Sequence, residues 1–367
     1  MFGIEILNLK KENGRRLFYD KIRIQRLKRE IEDFLEEESF MDDFHFSRKM
    51  MLSLEIKTNN AIEGVYDDIQ NIEEVIQNSH YYGKDKNRIL NLYYGYRFIL
   101  LNPVQNKENL KKLYQILSKG LLDEYSENNM GEYYRNNEVF IMDSVGRLIL
   151  SCDKGMSSDK VESCMNDLFT YLDDSKEEKL MDIFIKSQIL HFYFVYVHPY
   201  YDVNGRTART FSLWYLLRKK AYPFVIFNRG ISLSKDKYTK SIKKSRRGDI
   251  TPFLEYSLKT LKKELEKEKV IYDIRTSFGE SLSKSEYEIL EYILTSKSHQ
   301  LQDIARLYRI NNKPEDVDFI MLEKIYPLIE KGIVVFNEED QTLKISSNFI
   351  TMNKRKVRQL RIKSYLA

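Results

Sequence analysis

The stretch from Ile183 to Val197 is apolar nearly all round and is interrupted by Lys186. A helix without a polar face has to be buried on every side, so the rest of the chain must wrap it. The run is too short to span a bilayer, which makes it the central helix of a core. His198-Pro199 ends it, because the residue before a proline is pushed out of the α region. A new helix begins near Thr207, with Phe211, Leu213, Trp214, Leu216 and Leu217 apolar. A short loop therefore joins two buried helices.

Composition agrees with a helical globular chain. Its 367 residues allow two or three domains at about 150 residues each. Apolar residues make 42% and charged residues 31%, which excludes a disordered or collagen-like chain. Only 14 Gly and 6 Pro argue against a β-sandwich with its many turns. The net charge of +5 is too small at this length for a nucleic-acid field over the whole protein. Cys152 and Cys164 can form neither a disulfide scaffold nor a four-thiolate zinc site. Met1-Phe2-Gly3-Ile4-Glu5 turns acidic at once and does not read as a signal peptide. A soluble, cytoplasmic protein with no membrane partner is expected.

Helical patterns run over 15–40, where Leu17, Ile22, Ile24, Leu27, Ile31 and Leu35 form a rough stripe, and then over 47–62, 86–101, 108–123, 159–174 and 177–197. Residues 138–150 break the pattern: β-branched residues flank Asp143-Ser144-Val145-Gly146, which reads as a hairpin. Pro252 opens another helix, and Gly279 is read as its stop. Ser283-Lys284-Ser285-Glu286 looks like a capping box. Helices near 286–295, 300–308 and 315–331 follow, then apolar 333–336, a turn, and 342–345. Three helices before a hairpin is the order of a winged helix.

The chemistry concentrates in the joining loop, His198-Pro199-Tyr200-Tyr201-Asp202-Val203-Asn204-Gly205-Arg206-Thr207-Ala208-Arg209. A helix N-terminus presents free N–H groups and partial positive charge, which suits phosphate. Gly205 lets backbone approach an anion closely. Arg206 and Arg209 supply forked donors for phosphate oxygens. Asp202 is a hard oxygen ligand for Mg²⁺ shared with those phosphates. His198 can serve as a general base at neutral pH. Each residue alone has a plainer use as cap, turn or surface charge. Their joint occurrence within twelve residues reads as a nucleotide phosphate cradle with a base beside it.

This loop resembles the signature of the Fic (filamentation induced by cAMP) family, His-Pro-Phe-x-Asp/Glu-Gly-Asn-Gly-Arg-x-x-Arg. His198, Pro199, Asp202, Asn204, Gly205, Arg206 and Arg209 fall in register, and Tyr200 can keep the packing role of the Phe. Val203 stands where the family has Gly, and a β-branched residue resists φ > 0. The resemblance implies a mainly α chain: an N-terminal helical region (1–84), a Fic-type helical core with a β-hairpin flap (85–278) and a winged-helix-like C-terminal domain (279–367). It implies transfer of AMP from ATP to a Ser, Thr or Tyr hydroxyl of a target protein. His198 would be the base and Asp202 the Mg²⁺ ligand. Asn204, Gly205 and Arg206 would form the anion hole, and Arg209 would hold the γ-phosphate. Tyr238 and Ile242 lie where the family builds its adenine pocket. Gly131-Glu132-Tyr133-Tyr134-Arg135 and the 138–150 hairpin resemble the family's lead-in and flap, which pairs with an extended target segment.

Leu54 to Gly64 resembles the family's inhibitory helix, Ser/Thr-x-x-x-Glu-Gly/Asn, with Asn59 at the Ser/Thr position. Glu63 would pair with Arg209 and take the γ-phosphate position, holding the enzyme off. Other classes stay open: the same fold with another nucleotide, phosphotransfer or removal of AMP by water, or a non-enzymatic DNA-binding regulator. Against the last, the third C-terminal helix begins with Pro314-Glu315-Asp316-Val317-Asp318, acidic where a recognition helix meets phosphate. The basic residues from Lys354 to Lys363 fit a solvated tail at least as well as a nucleic-acid contact. Helical faces at both ends leave a homodimer open.

Overall fold

The computed structural model describes residues 3–36, 48–66, 69–78, 83–139, 155–174, 179–278, 281–295, 299–311 and 317–349. Among these the protein is mainly helical, with two small antiparallel hairpins. The chain divides into two compact units, Met1–Asp67 with Asn71–Lys262, and Asp68–Gln70 with Lys263–Ala367. Of the expected 138–150 hairpin, 140–150 lies outside the described residues, as do Cys152, Gly279 and the basic tail.

The first unit opens with β1 (Ile4–Lys10) and β2 (Arg16–Asp20), with Ile6 opposite Phe18 and Lys10 opposite Arg16. This corrects the helix expected from residue 15. Asn13-Gly14 makes the turn, with Gly14 at φ 76°. Phe18 is held from far along the chain: its N–H donates to the Gly248 carbonyl (3.0 Å), and its carbonyl accepts from Ile250 N–H (2.9 Å). The helix α1 (Lys21–Glu36) starts only after Asp20, whose carboxylate accepts the Arg23 N–H at 3.0 Å.

Next come α2 (Arg48–Ile62), α3 (Ile69–Asn78), α4 (Lys84–Leu101), α5 (Lys107–Ser118), α6 (Glu124–Asn128) and α7 (Ser158–Asp173). The central pair is α8 (Leu180–Val197) and α9 (Asn204–Arg218). Both are buried on nearly all sides, as an apolar helix requires. α8 has the length and composition of a membrane span but is mostly buried inside the unit. α7 packs on α8, α9 lies along α8, and α4 and α5 pack on α9. Trp214 Nε1–H donates to the Asn102 carbonyl (2.7 Å) and Gln105 Nε2–H to the Phe211 carbonyl (2.8 Å), so the α4–α5 link is fastened to α9. A 3₁₀ turn (Tyr222–Ile226), α10 (Phe227–Leu233), α11 (Lys235–Ser245) and α12 (Thr251–Phe278) follow.

The second unit holds α13 (Lys284–Thr295), α14 (Leu301–Asn311), α15 (Val317–Ile320), α16 (Tyr326–Glu330), β3 (Val334–Asn337) and β4 (Thr342–Ile345). The capping box forms: Ser283 N–H donates to Glu286 Oε2 (2.6 Å), and Glu286 N–H donates back to Ser283 Oγ (3.3 Å). The helix expected over 315–331 is interrupted by a π-helical turn at Met321–Ile325. Pro327 has no N–H to offer the carbonyl four residues back, which favours such a turn. Helices followed by a hairpin is the order the sequence gives for this region, and a winged-helix reading rests on that order alone.

Candidate active site

α8 ends on His198, whose backbone is left-handed (φ 54°, ψ 62°) and whose N–H closes the helix onto the Phe194 carbonyl at 2.9 Å. Pro199 prevents continuation. The loop that follows is stapled by Asn204: its Oδ1 accepts the Tyr200 N–H (3.0 Å), and its Nδ2 donates to the Tyr200 carbonyl (2.8 Å). Tyr200 is fully buried and stacks on Tyr114, ring centroids 3.5 Å apart and 6° from parallel. The packing role expected at this position is therefore met.

Val203 adopts the left-handed conformation that its β-branch resists, at φ 62° and ψ 12°. Its surroundings compel it. Asp202 Oδ1 accepts its N–H (2.6 Å), while its carbonyl accepts from Thr207 N–H (3.0 Å) and Thr207 Oγ1–H (2.8 Å). The strain costs on the order of 1–3 kcal/mol, and the loop keeps a glycine-like course without a glycine.

α9 therefore starts at Asn204, with its free N–H groups at the loop. A Cβ on Gly205 would lie 2.6 Å from Glu63 Oε1 and 3.3 Å from Arg209 Nη1. Only a glycine leaves room for that carboxylate. Arg209 is 2% exposed; its Nε–H donates to Asn59 Oδ1 (2.8 Å), and its Nη2 is ion-paired with Glu63 Oε1. Arg206 is buried too, and its Nε has no hydrogen-bond partner among the described residues. Glu63 sits at the C-terminus of α2, where Gly64 turns the chain at φ 85° and Val65 N–H reaches back to the Asn60 carbonyl (3.0 Å).

Glu55, Asn59 and Glu63 recur at four-residue spacing, which aligns them along one side of α2. Asn59 Nδ2–H donates to the Tyr96 hydroxyl (2.8 Å), and Asn228 Nδ2–H donates to Glu55 Oε2 (3.0 Å). Asn59, a departure from Ser/Thr in the sequence, thus uses both ends of its amide to hold Arg209 against α4. Glu55 had no sequence signal beyond its spacing from Glu63.

The charges follow from these contacts. Burial works against ionising Glu63, but the Arg209 guanidinium, with Arg206 and Lys235, holds its carboxyl below the usual range. Burial, Arg246 and Arg135 lower His198 to about 3, against the opposing pull of the Val195 backbone and Glu63. The imidazole is neutral at physiological pH, as a general base must be. Burial raises Glu55 to about 7, opposed by Asn228, Arg209 and Tyr96. A folded-state value above the unfolded one means that Glu55 stabilises fully below about pH 4.5 and loses that contribution as pH rises through 7. Glu55→Gln is therefore expected to stabilise the fold at pH 8 by on the order of 2 kcal/mol, seen as a raised thermal midpoint, with near parity at pH 5. Melting curves across pH 5–8 read the difference; a variant destabilised at both ends contradicts it.

Asp202 is exposed and keeps Oδ1 on the Val203 N–H. Among the described residues no cluster of three His, Cys, Asp or Glu side chains could hold a metal alone. A cation here would need substrate phosphate oxygens beside Asp202, which suits Mg²⁺. Tyr238 is buried under the cradle: its hydroxyl meets His191 Nε2 at 2.9 Å, and its ring leans on Phe253 and Tyr256. Ile242 is half-buried one turn along α11. The structure thus gathers His198, Asp202, Asn204, Gly205, Arg206, Arg209 and Glu63 around one helix terminus.

Residues 104–216 match the sequence model of the Fic/DOC family. The match includes the loop from His198 to Arg209 and does not reach Glu63. A protein adenylyltransferase Fic from Nematostella vectensis is 28% identical over 123 residues, 34% of this chain and 26% of that protein. The chain thus matches about a quarter of that relative's length. The crystal structure of a Fic family protein from Desulfovibrio desulfuricans G20 has a similar fold, with TM-score 0.56 and 18% identity, covering 88% of this chain and 96% of that one. Fic-1 from C. elegans aligns over 69% of this chain and 73% of that one, with TM-score 0.49 and 18% identity.

Proposed function

We propose that this protein, whose residues 104–216 match the Fic/DOC family model, transfers AMP from ATP to a Ser, Thr or Tyr hydroxyl of a target protein, and that Glu63 holds the transfer off at rest. One observation carries the reading: a carboxylate lies on Gly205 at the α9 N-terminus, paired with Arg209, where an anion is best stabilised. The protein supplies its own stand-in for a phosphate.

In the reaction the hydroxyl oxygen attacks the α-phosphorus, the bond to the bridging oxygen breaks, and pyrophosphate leaves. His198, neutral and next to the cradle, accepts the hydroxyl proton. Arg209 binds the terminal phosphate once Glu63 is displaced, and the unpartnered Nε of Arg206 supplies a further donor. Asp202 would hold Mg²⁺, which offsets charge on the phosphates when bound. Tyr238 and Ile242 are assigned to the adenine side. The homologue named an adenylyltransferase supports AMP as the group transferred.

The test is ATP labelled at either the α- or the γ-phosphate, incubated with the Glu63→Gly chain and Mg²⁺. Label from the α position is expected on protein, and γ-label is expected in pyrophosphate. Protein-bound γ-label would mark phosphotransfer and overturn the assignment.

A further inference from the structure

His198 needs more than a neutral ring; it needs a fixed direction, and its left-handed backbone does not provide one unaided. The residue that grips it is Arg135, which is 2% exposed. Its Nε–H donates to the His198 carbonyl (2.9 Å), Nη1 to the Asn137 carbonyl (2.6 Å), and Nη2 to the Met156 carbonyl. Its own N–H donates to the Pro199 carbonyl (3.0 Å), and Met156 N–H donates to the Val197 carbonyl (3.1 Å). Three stretches of chain therefore meet at one guanidinium, where the backbone turns at His198.

Burying a guanidinium is costly unless its donors are satisfied. Among the described residues its three nitrogens bond only backbone carbonyls, so side-chain identity elsewhere is free to change while the backbone course is fixed. A planar fork spreads its donors over three nitrogens and so reaches three separated carbonyls, whereas a lysine ammonium offers its three donors from a single point. Close packing supports the same point. A Cβ on Gly155 would meet Arg135 Nη2 at 2.9 Å, Val139 Cγ2 at 2.9 Å and His198 Cβ at 3.2 Å. The next residues are tied as well: Asn137 N–H donates to the Tyr201 hydroxyl (3.0 Å), which donates to the Asn129 carbonyl (3.1 Å).

We propose that Arg135 is the positioning residue for His198: its guanidinium, with Gly155 packed against it, locks the left-handed turn that ends α8 and so sets the direction of the imidazole. This rests on His198 being the base of the proposed reaction. Arg135 stays clear of the cradle, whose anion contacts are Gly205, Arg206 and Arg209, so its loss should slow proton removal without weakening ATP binding.

The experiment uses the full chain carrying Glu63→Gly, with Arg135→Lys or Gly155→Ala added. Each added change is expected to lower kcat at least about 30-fold while the ATP dissociation constant stays within threefold. The chain has five histidines, and ¹⁵N-histidine spectra give a readout that does not need turnover. In both variants the His198 ring signals should shift or broaden, while those of His191, held by Tyr238, stay in place. Unchanged kcat with unchanged His198 signals in a folded variant overturns the proposal, as does a loss of ATP affinity matching the loss of rate. Should the parent transfer no AMP, the AMP-transfer reading fails, and the ring spectra alone still decide the role of Arg135. If Arg135→Lys does not fold, Gly155→Ala gives the same decision.

Discussion

Glu63→Gly is expected to raise AMP transfer and self-modification at least about tenfold. The estimate is electrostatic. A carboxylate about 4 Å from a phosphate oxygen costs roughly 1–4 kcal/mol between bulk water and a protein-surface dielectric, and the Glu63 side chain is 38% exposed, which places it toward the lower end. About 1.4 kcal/mol already gives tenfold. The substitution also removes the partner of a buried guanidinium, so the variant should melt lower without nucleotide and recover more than wild type when ATP is added. Labelled ATP with Mg²⁺ reads the transfer. Equal incorporation in wild type and variant contradicts an inhibitory role.

His198→Ala carries the larger loss. Its expected effect is a drop in transfer of at least about 10²–10⁴, the range for a general base, with ATP binding within threefold of the Glu63→Gly parent. The separation follows from placement. His198 ends α8, whereas the anion contacts belong to the α9 N-terminus and to Arg209. Transfer that persists in this variant rules out His198 as the base, and a matching loss of ATP affinity makes it a binding residue instead.

What could be read from the sequence was local. The apolar run before His198 and the glycine and arginines after it lie within one short segment, and their spacing alone places them on a loop and a helix start. Glu63 was legible through the resemblance of Leu54 to Gly64 to an inhibitory helix, since an acid before a helix-ending glycine reads by itself as a surface charge. The rest depended on partners far along the chain. β2 forms because it pairs with β1 and because Phe18 is also held by Gly248 and Ile250, which no periodicity over 15–40 can report. Glu55 looks like any solvated helix acid until Asn228 and Tyr96 surround it. Val203 resists a left-handed turn by its β-branch, and the hydrogen bonds of Asp202 and Thr207 hold one in place. Arg135 read as part of a lead-in, and its grip on His198 became visible only when three segments met.

The most direct measurement compares the affinities of ATP and AMP for wild type and for Glu63→Gly by titration calorimetry. If the Glu63 carboxylate stands where the terminal phosphate goes, the substitution raises ATP affinity at least about tenfold and leaves AMP, which has no such phosphate, within twofold. An equal gain for both nucleotides, or none for ATP, contradicts it.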